Sequence, residues 1–254
     1  MQQRLETGKL IQPLTNVAAL AQVVETLENR PVGAHRLGVF YGPNGYGKTY
    51  AASFCATNFG AIHIAVKRSW TLKHFLKRLM GELGLPVKGQ IADMIDTITD
   101  ELLNSPRTII VDEVDYLVGG AKGCKQPYIQ DIRDIQDGSG CPFVLIGMEE
   151  LPQKLNKWPE IRSRIMPWTP AAPADLKDVK MLAEIYATGI TVSDDLLKVI
   201  LEKNTGSPRR CVNDLSQVVS EAQALGLDTM GVKEWGGIEF EKLEAPQPRN
   251  GMKI

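Results

Sequence analysis

Along the first two-thirds of the chain, short apolar runs rich in β-branched residues alternate with longer segments of helical period. Residues 37–41, 62–66, 108–111, 143–146 and 165–168 read as strands, apolar on both faces as buried parallel strands are. Two helices lie between the second and third. In the first of them Leu72, Phe75, Leu76, Leu79, Met80 and Leu83 recur at steps of three and four, so one face belongs to a core, and Gly84 with Pro86 ends it. This rhythm specifies βαβ units and a mostly parallel sheet. It stops at Thr169-Pro170-Ala171-Ala172-Pro173, and the chain is then helical over 175–187, 193–203 and 207–224. The organisation predicted is an α/β domain over 1–170, a small all-α domain over 171–234 and a flexible tail over 235–254, where Gly236, Gly237, Pro246, Pro248 and Gly251 sit among charges.

Composition narrows the chemistry. Among 254 residues, 29 Lys and Arg face 30 Asp and Glu, so the net charge of −1 gives no global pull toward nucleic acid or membrane, and any polyanion site must be local. Cys55, Cys124, Cys141 and Cys211 lack C-x-x-C spacing and lie near no histidine at zinc-site intervals, which makes them buried or incidental thiols of a reducing compartment. The first ten residues are too polar for a secretory signal, and no uncharged apolar stretch is long enough to cross a bilayer, so a cytosolic protein without a membrane partner is expected.

Directly after the first strand stands Gly42-Pro43-Asn44-Gly45-Tyr46-Gly47-Lys48-Thr49-Tyr50, a full G-x-x-x-x-G-K-T match opening onto a helix. Gly42, Asn44, Gly45, Tyr46, Gly47, Lys48, Thr49 and Tyr50 are the expected nucleotide cradle. The glycines let backbone N–H groups turn inward around a phosphate, Lys48 places its charge at the β- and γ-phosphates, and the Thr49 hydroxyl can coordinate Mg²⁺. A chance match in a chain of this length is on the order of one in a hundred. The third strand ends in Asp112-Glu113. At the carboxyl end of a parallel strand beside the loop, Asp112 is placed to bind the Mg²⁺ shell and Glu113 to polarise an attacking water.

With these two motifs in place the chain resembles the AAA+ ATPases over residues 15–225. The resemblance implies a P-loop AAA+ parallel sheet with flanking helices, followed by a small helical lid, with ATP and Mg²⁺ as ligands. It places an arginine finger, which reaches a neighbouring subunit's γ-phosphate, within Pro159-Glu160-Ile161-Arg162-Ser163-Arg164-Ile165, where Arg162 and Arg164 are both candidates; locally the same stretch reads as an amphipathic turn with two solvated arginines. In Thr205-Gly206-Ser207-Pro208-Arg209-Arg210, Ser207 suits an N-cap and Pro208 the first helical position. Two arginines in a first turn oppose the helix dipole, and a nearby anion would resolve that conflict. The resemblance assigns Arg209, or failing it Arg210, the nucleotide-reading role called sensor 2. At the sensor 1 position, where the family usually has Asn, Ser or Thr, this chain has Met148, which implies slow hydrolysis.

The stretch Phe143-Val144-Leu145-Ile146-Gly147-Met148-Glu149-Glu150-Leu151, with Leu155 and the segment 161–165, is similar to the bacterial transposition ATPases of the Mu-phage B type. That family implies an ATP-dependent homo-oligomer, a ring or helical filament, that coats double-stranded DNA without sequence preference and delivers it to a transposase in a bacterial cytoplasm. Its members carry an N-terminal helix-turn-helix domain, for which the residues ahead of Gly42 leave no room. Lys67, Arg68, Lys73, Lys77 and Arg78, with His74, cluster after the second strand, and Lys122 and Lys125 lie in a Gly-rich stretch that would approach the same axis. Phosphate backbone would cover such a row of like charge; a solvated helix face is the other reading. An AAA+ loader or motor acting on a protein partner is the alternative function. A small-molecule P-loop kinase is disfavoured, because the helices follow the sheet instead of interrupting it.

Overall fold

The computed structural model describes residues 14–31, 33–118 and 128–240. The chain divides into two compact units, residues 1–172 and 173–254.

In the first unit, the elements run as α1 (Thr15–Glu28), β1 (Leu37–Tyr41), α2 (Lys48–Phe59), β2 (Ile62–Ala65), α3 (Leu72–Glu82), α4 (Ile91–Asn104), β3 (Ile109–Asp112), α5 (Asp115–Val118), α6 (Ile129–Ser139), β4 (Phe143–Gly147), α7 (Leu151–Leu155), α8 (Pro159–Arg162) and β5 (Ile165–Pro170). All five expected strands form, and they make one parallel sheet in the order β2-β3-β4-β1-β5. The strands are legible in the sequence but their order is not, because it depends on long-range packing.

Alternation along each strand splits its side chains between two cores. Val39, Ile109, Val111, Phe143 and Leu145 face a core closed by α3, α4 and α6. Phe40, Ile110, Val144 and Ile146 face one closed by α1 and α2. Coverage on both faces is why the strands read as continuous apolar runs. In α3, the residues Leu72, Phe75, Leu76, Leu79 and Met80 are buried as their spacing requires, at about 1.5–3 kcal/mol for a fully buried large apolar side chain. Leu83, expected with them, falls just past the helix. There Gly84 takes a φ of 74°, and Leu85 N donates to Met80 O at 2.9 Å, closing a Schellman turn.

The second unit holds α9 (Leu176–Tyr186), β6 (Thr191–Val192), α10 (Asp194–Lys203), α11 (Pro208–Leu225), β7 (Thr229–Met230) and α12 (Val232–Trp235). Asp175 caps α9 by accepting from Asp178 N at 2.8 Å, and Val179, Leu196, Leu197, Ile200, Leu215 and Val218 are buried. One boundary moves. The segment 235–240, expected as the start of a flexible tail, is pinned at both ends: Trp235 is buried and stacks on Phe240 with centroids 4.5 Å apart, and Lys203 Nζ lies 4.4 Å from the Phe240 ring centre. The glycines at 236 and 237, read as signs of looseness, are instead the left-handed positions that turn the chain back. Residues 241–254 lie outside the described residues.

Among the described residues, no helix is long and apolar enough to cross a membrane. Cys55, Cys141 and Cys211 are buried free thiols. Burial, reinforced by Glu28 beside Cys55 and by Asp214 beside Cys211, pushes both of those thiols up to about 11, so they are inert as nucleophiles. Cys124 lies outside the described residues.

Candidate nucleotide site

The loop from Gly42 to Gly47 leaves the carboxyl end of β1 and enters α2. Gly42 is fixed by crowding, since a Cβ there would meet the Ala171 Cβ at 2.9 Å. Gly45 and Gly47 have φ of 83° and 79°, which side-chain-bearing residues rarely adopt. Lys48, buried, donates from Nζ to the carbonyls of Gly42 at 2.6 Å and Pro43 at 2.7 Å. Its ammonium is therefore folded back across the loop mouth, where phosphate oxygens of a bound nucleotide would meet it. Asn44, Thr49 and Tyr50 are exposed, and Tyr46 packs partly on the α1–α2 core.

Sequence reasoning missed the residue that braces this loop. Asn16, buried at the start of α1, donates from Nδ2 to Tyr46 O at 2.7 Å and to Ala172 O at 2.8 Å, and its Oδ1 accepts from Ala172 N at 2.9 Å. One amide thus ties the P-loop to the segment after β5. The available signal is a polar residue on the otherwise apolar buried face of a helix, whose other buried positions include Val17, Leu20, Val23 and Val24.

Asp112 ends β3, almost fully buried, with its carboxylate engaged on several sides. Burial pushes its carboxyl up, but His63, the Thr49 hydroxyl and the Glu113 amide outweigh burial and hold it below its ordinary value, so it stays ionised at neutral pH. Glu113 N donates to Asp112 Oδ1 at 2.8 Å. His63 Nε2 stands 3.5 Å from Asp112 Oδ2, too far for a strong hydrogen bond. Glu113 itself is exposed and left-handed, with a φ of 55°. Such a conformation costs of order 1–3 kcal/mol in a non-glycine residue and is found where function fixes it. Among the described residues, no three of His, Cys, Asp and Glu gather as a metal cluster. One ionised carboxylate beside one hydroxyl is the sparse donor set that suits Mg²⁺, which takes its other ligands from phosphates and water.

Just past β4 stands Met148, where the resemblance expects sensor 1. Its amide donates to Asp115 Oδ2 at 2.7 Å, and Lys154 Nζ donates to Asp115 Oδ1 at 2.5 Å. The two finger candidates differ. Arg164 is engaged within its own chain: Nε donates to Asp137 Oδ2 at 2.8 Å and Nη1 to Glu160 O at 2.5 Å. Arg162 is exposed, with no side-chain partner among the described residues. In the second unit, Ser207 takes the N-cap position of α11 and Pro208 its first turn, leaving Arg209 and Arg210 exposed there with no acidic residue in that turn. Buried Asn204, donating to Asp214 Oδ2 at 2.7 Å, and Gly206, with a φ of 73° against Ala174, set the turn that launches the helix.

On α3 and the segment before it, Lys67, Arg68 and Lys77 are exposed, Lys73 is half-buried and Arg78 pairs with Glu82. The basic row therefore exists, but one of its members is already neutralised within the helix. Lys122 and Lys125 lie outside the described residues.

Residues 32–155, which carry the P-loop, the acidic end of β3 and α7, match a family model described as AAA domain. This stretch is similar to an AAA-type P-loop domain, and the five-stranded parallel sheet flanked by helices, whose β5 lies beyond it, matches the fold of such a domain. The Aeropyrum pernix Orc1 protein in complex with DNA superposes with a TM-score of 0.60 at 16% identity, over 86% of this chain and 62% of that one. Cdc6p from Pyrobaculum aerophilum gives 0.61 at 15%, over 88% and 66%, and the Thermotoga maritima RuvB Holliday junction branch migration motor 0.56 at 17%, over 89% and 71%. The chain spans under two thirds of the length of the Orc1 and Cdc6p chains, and at these identities the likeness is one of fold. No curated protein matches the sequence.

Proposed function

We propose that the chain is a Mg²⁺-dependent AAA+ ATPase that assembles with copies of itself on double-stranded DNA, without sequence preference, and delivers that DNA to a transposase in the cytoplasm of a bacterial host. The observation that carries the ATPase reading is the convergence of Lys48, Thr49, Asp112 and Glu113 at the carboxyl ends of the adjacent strands β1, β4 and β3.

In that reading the inward-turned amides of 45–49 and Lys48 bind the phosphates. Thr49 and Asp112 would hold a Mg²⁺ ion, which would supply charge neutralisation toward the phosphates when bound. Glu113, exposed and aimed by its left-handed backbone, takes the proton of the attacking water. Arg162, without an internal partner among the described residues, is the better finger for a neighbouring copy, and Arg164 is a structural residue held by Asp137. The sensor 2 role of Arg209 rests on the resemblance and on its place in the first turn of α11. With Met148 at sensor 1, turnover is slow until assembly or DNA raises it.

The DNA reading draws on Lys67, Arg68, Lys73 and Lys77 and on two neighbours of the same fold, one solved with DNA and one a branch migration motor. Transposition, and a filament over a ring, rest on the sequence resemblance. The test is assembly on a random-sequence duplex with a non-hydrolysable ATP analogue, followed by strand transfer with a transposase. Analogue-dependent oligomers on DNA that stimulate strand transfer support the reading. Assembly without DNA, and recruitment of a protein instead, would favour a loader or motor.

A further inference from the structure

We propose that His63 is a positioning residue for the cation-binding carboxylate: its imidazole holds Asp112 in the orientation that a divalent cation at Thr49 and Asp112 requires. The proposal rests on reading this site as one for a Mg²⁺–nucleotide complex.

In the parallel register of β2 with β3, His63 lies beside Ile110 and Ala65 beside Asp112. Its strand neighbours Ile62 and Ile64 point into the α3–α4–α6 core, so His63 turns to the opposite face, with Ile110, toward the P-loop helix. Ile110, Val144 and Ile146 make that face aliphatic. A valine at 63 would pack there without a desolvated nitrogen, so filling space does not explain a histidine. Among the described residues, only three buried side-chain polar atoms lack a hydrogen-bond partner, and two of them are His63 Nε2 and Asp112 Oδ2, which face each other at 3.5 Å. Buried polar groups are rarely left unpaired, and such exceptions concentrate where a site is completed by something else.

The carboxylate is approached from three sides, by the Glu113 amide at Oδ1, by the Thr49 hydroxyl and by His63 at Oδ2. Glu113 N constrains one oxygen only. With His63 removed, Oδ2 loses its facing partner, and because Thr49 is itself to turn to the cation, the carboxylate loses orientation when the cation binds. Partners that orient a metal-ligating carboxylate typically contribute about 10- to 100-fold in metal affinity. His63 is not placed to touch phosphate, so its removal should spare the cation-free complex.

The experiment is a titration of a fluorescent ATP analogue against wild type, His63→Ala, His63→Gln and Lys48→Ala, first in EDTA and then across a Mg²⁺ series, with a thermal melt of each. In EDTA, His63→Ala should bind as wild type does, while its half-saturating Mg²⁺ should rise about tenfold. His63→Gln, whose amide nitrogen can stand in for Nε2, should recover most of that loss. A His63→Ala curve that superposes on wild type across the Mg²⁺ series overturns the proposal. So does an equal loss of affinity with and without Mg²⁺ that glutamine does not rescue, because that is the signature of a purely structural residue. If wild type binds no better than Lys48→Ala, the nucleotide site itself has failed, and the His63 proposal falls with it.

Discussion

Asp115 lies so close to Gly147 that a Cβ added to the glycine would stand 2.3 Å from Asp115 Oδ2, and that same oxygen accepts the Met148 amide at 2.7 Å. The end of β4 is thus tied through its backbone to the loop after Asp112 and Glu113, with Lys154 completing the carboxylate's bonding. That tie fixes the backbone at Met148 whatever its side chain.

Gly147→Ala must therefore displace the carboxylate or the Leu151 side chain, which a Cβ would meet at 2.7 Å. Overpacking of this kind costs about 1–3 kcal/mol. Asp115→Ala alone should also destabilise, by freeing the Met148 amide, yet the double variant should lose less than the sum, because removing the carboxylate makes room for the methyl. A double-mutant cycle of melting curves checks this, and strict additivity would deny the coupling.

Asn16→Ala should lower both stability and nucleotide affinity. It leaves the partly buried carbonyls of Tyr46 and Ala172 and the Ala172 amide without their side-chain partner, where a fully buried group left unsatisfied would cost about 1–3 kcal/mol. Asn16→Asp should be no better, since a carboxylate would face two carbonyl oxygens. Unchanged analogue binding in both variants would show that the brace is not needed by the loop.

Lys48→Ala should abolish ATP binding, whereas Glu113→Gln should keep it and stop turnover, because only the first change removes charge from the phosphates. A general base contributes about 10²- to 10⁴-fold. Glu113→Gly should lose turnover as well but melt higher than Glu113→Gln, since glycine takes a φ of 55° without strain. Relief of about 1 kcal/mol corresponds to roughly 2–4 °C for a unit of this size. Equal loss of nucleotide affinity in Lys48→Ala and Glu113→Gln would overturn the division of roles.

Arg162→Ala should leave the melting temperature unchanged and lower ATPase and assembly; Arg164→Ala should lower the melting temperature by releasing Asp137. Mixing Arg162→Ala with Lys48→Ala should restore part of the turnover, as each supplies what the other lacks at a shared interface. Failure of every mixing ratio would remove the trans role from Arg162.

The legible part of the sequence was local. The P-loop, the acid pair and the strands carry their signal in a few adjacent residues, so Lys48, Thr49, Asp112 and Glu113 can all be picked out from the chain alone. Residues whose meaning depends on distant partners cannot. Asn16 acts on Tyr46 and Ala172 across the fold, and His63 meets Asp112 only through the β2–β3 register. Arg162 and Arg164 look alike in the chain and separate only because Asp137 holds one of them. The start of the tail is not legible either, because Gly236 and Gly237 suggest looseness while the Trp235–Phe240 stack that holds the segment spans both.

The most direct test of ATP-controlled DNA binding is a titration of a labelled random-sequence duplex at several salt concentrations, with and without a non-hydrolysable ATP analogue, comparing wild type with the triple variant Lys67→Ala, Lys73→Ala, Lys77→Ala. Binding should require the analogue, and the variant should bind more weakly on every sequence, with a salt slope shallower by roughly one unit for each phosphate it no longer neutralises. Its analogue-driven assembly should persist, because none of these side chains is among the residues assigned to hold the nucleotide. Wild-type binding that ignores nucleotide, or a variant with unchanged affinity and slope, would contradict DNA as the polymer this face meets.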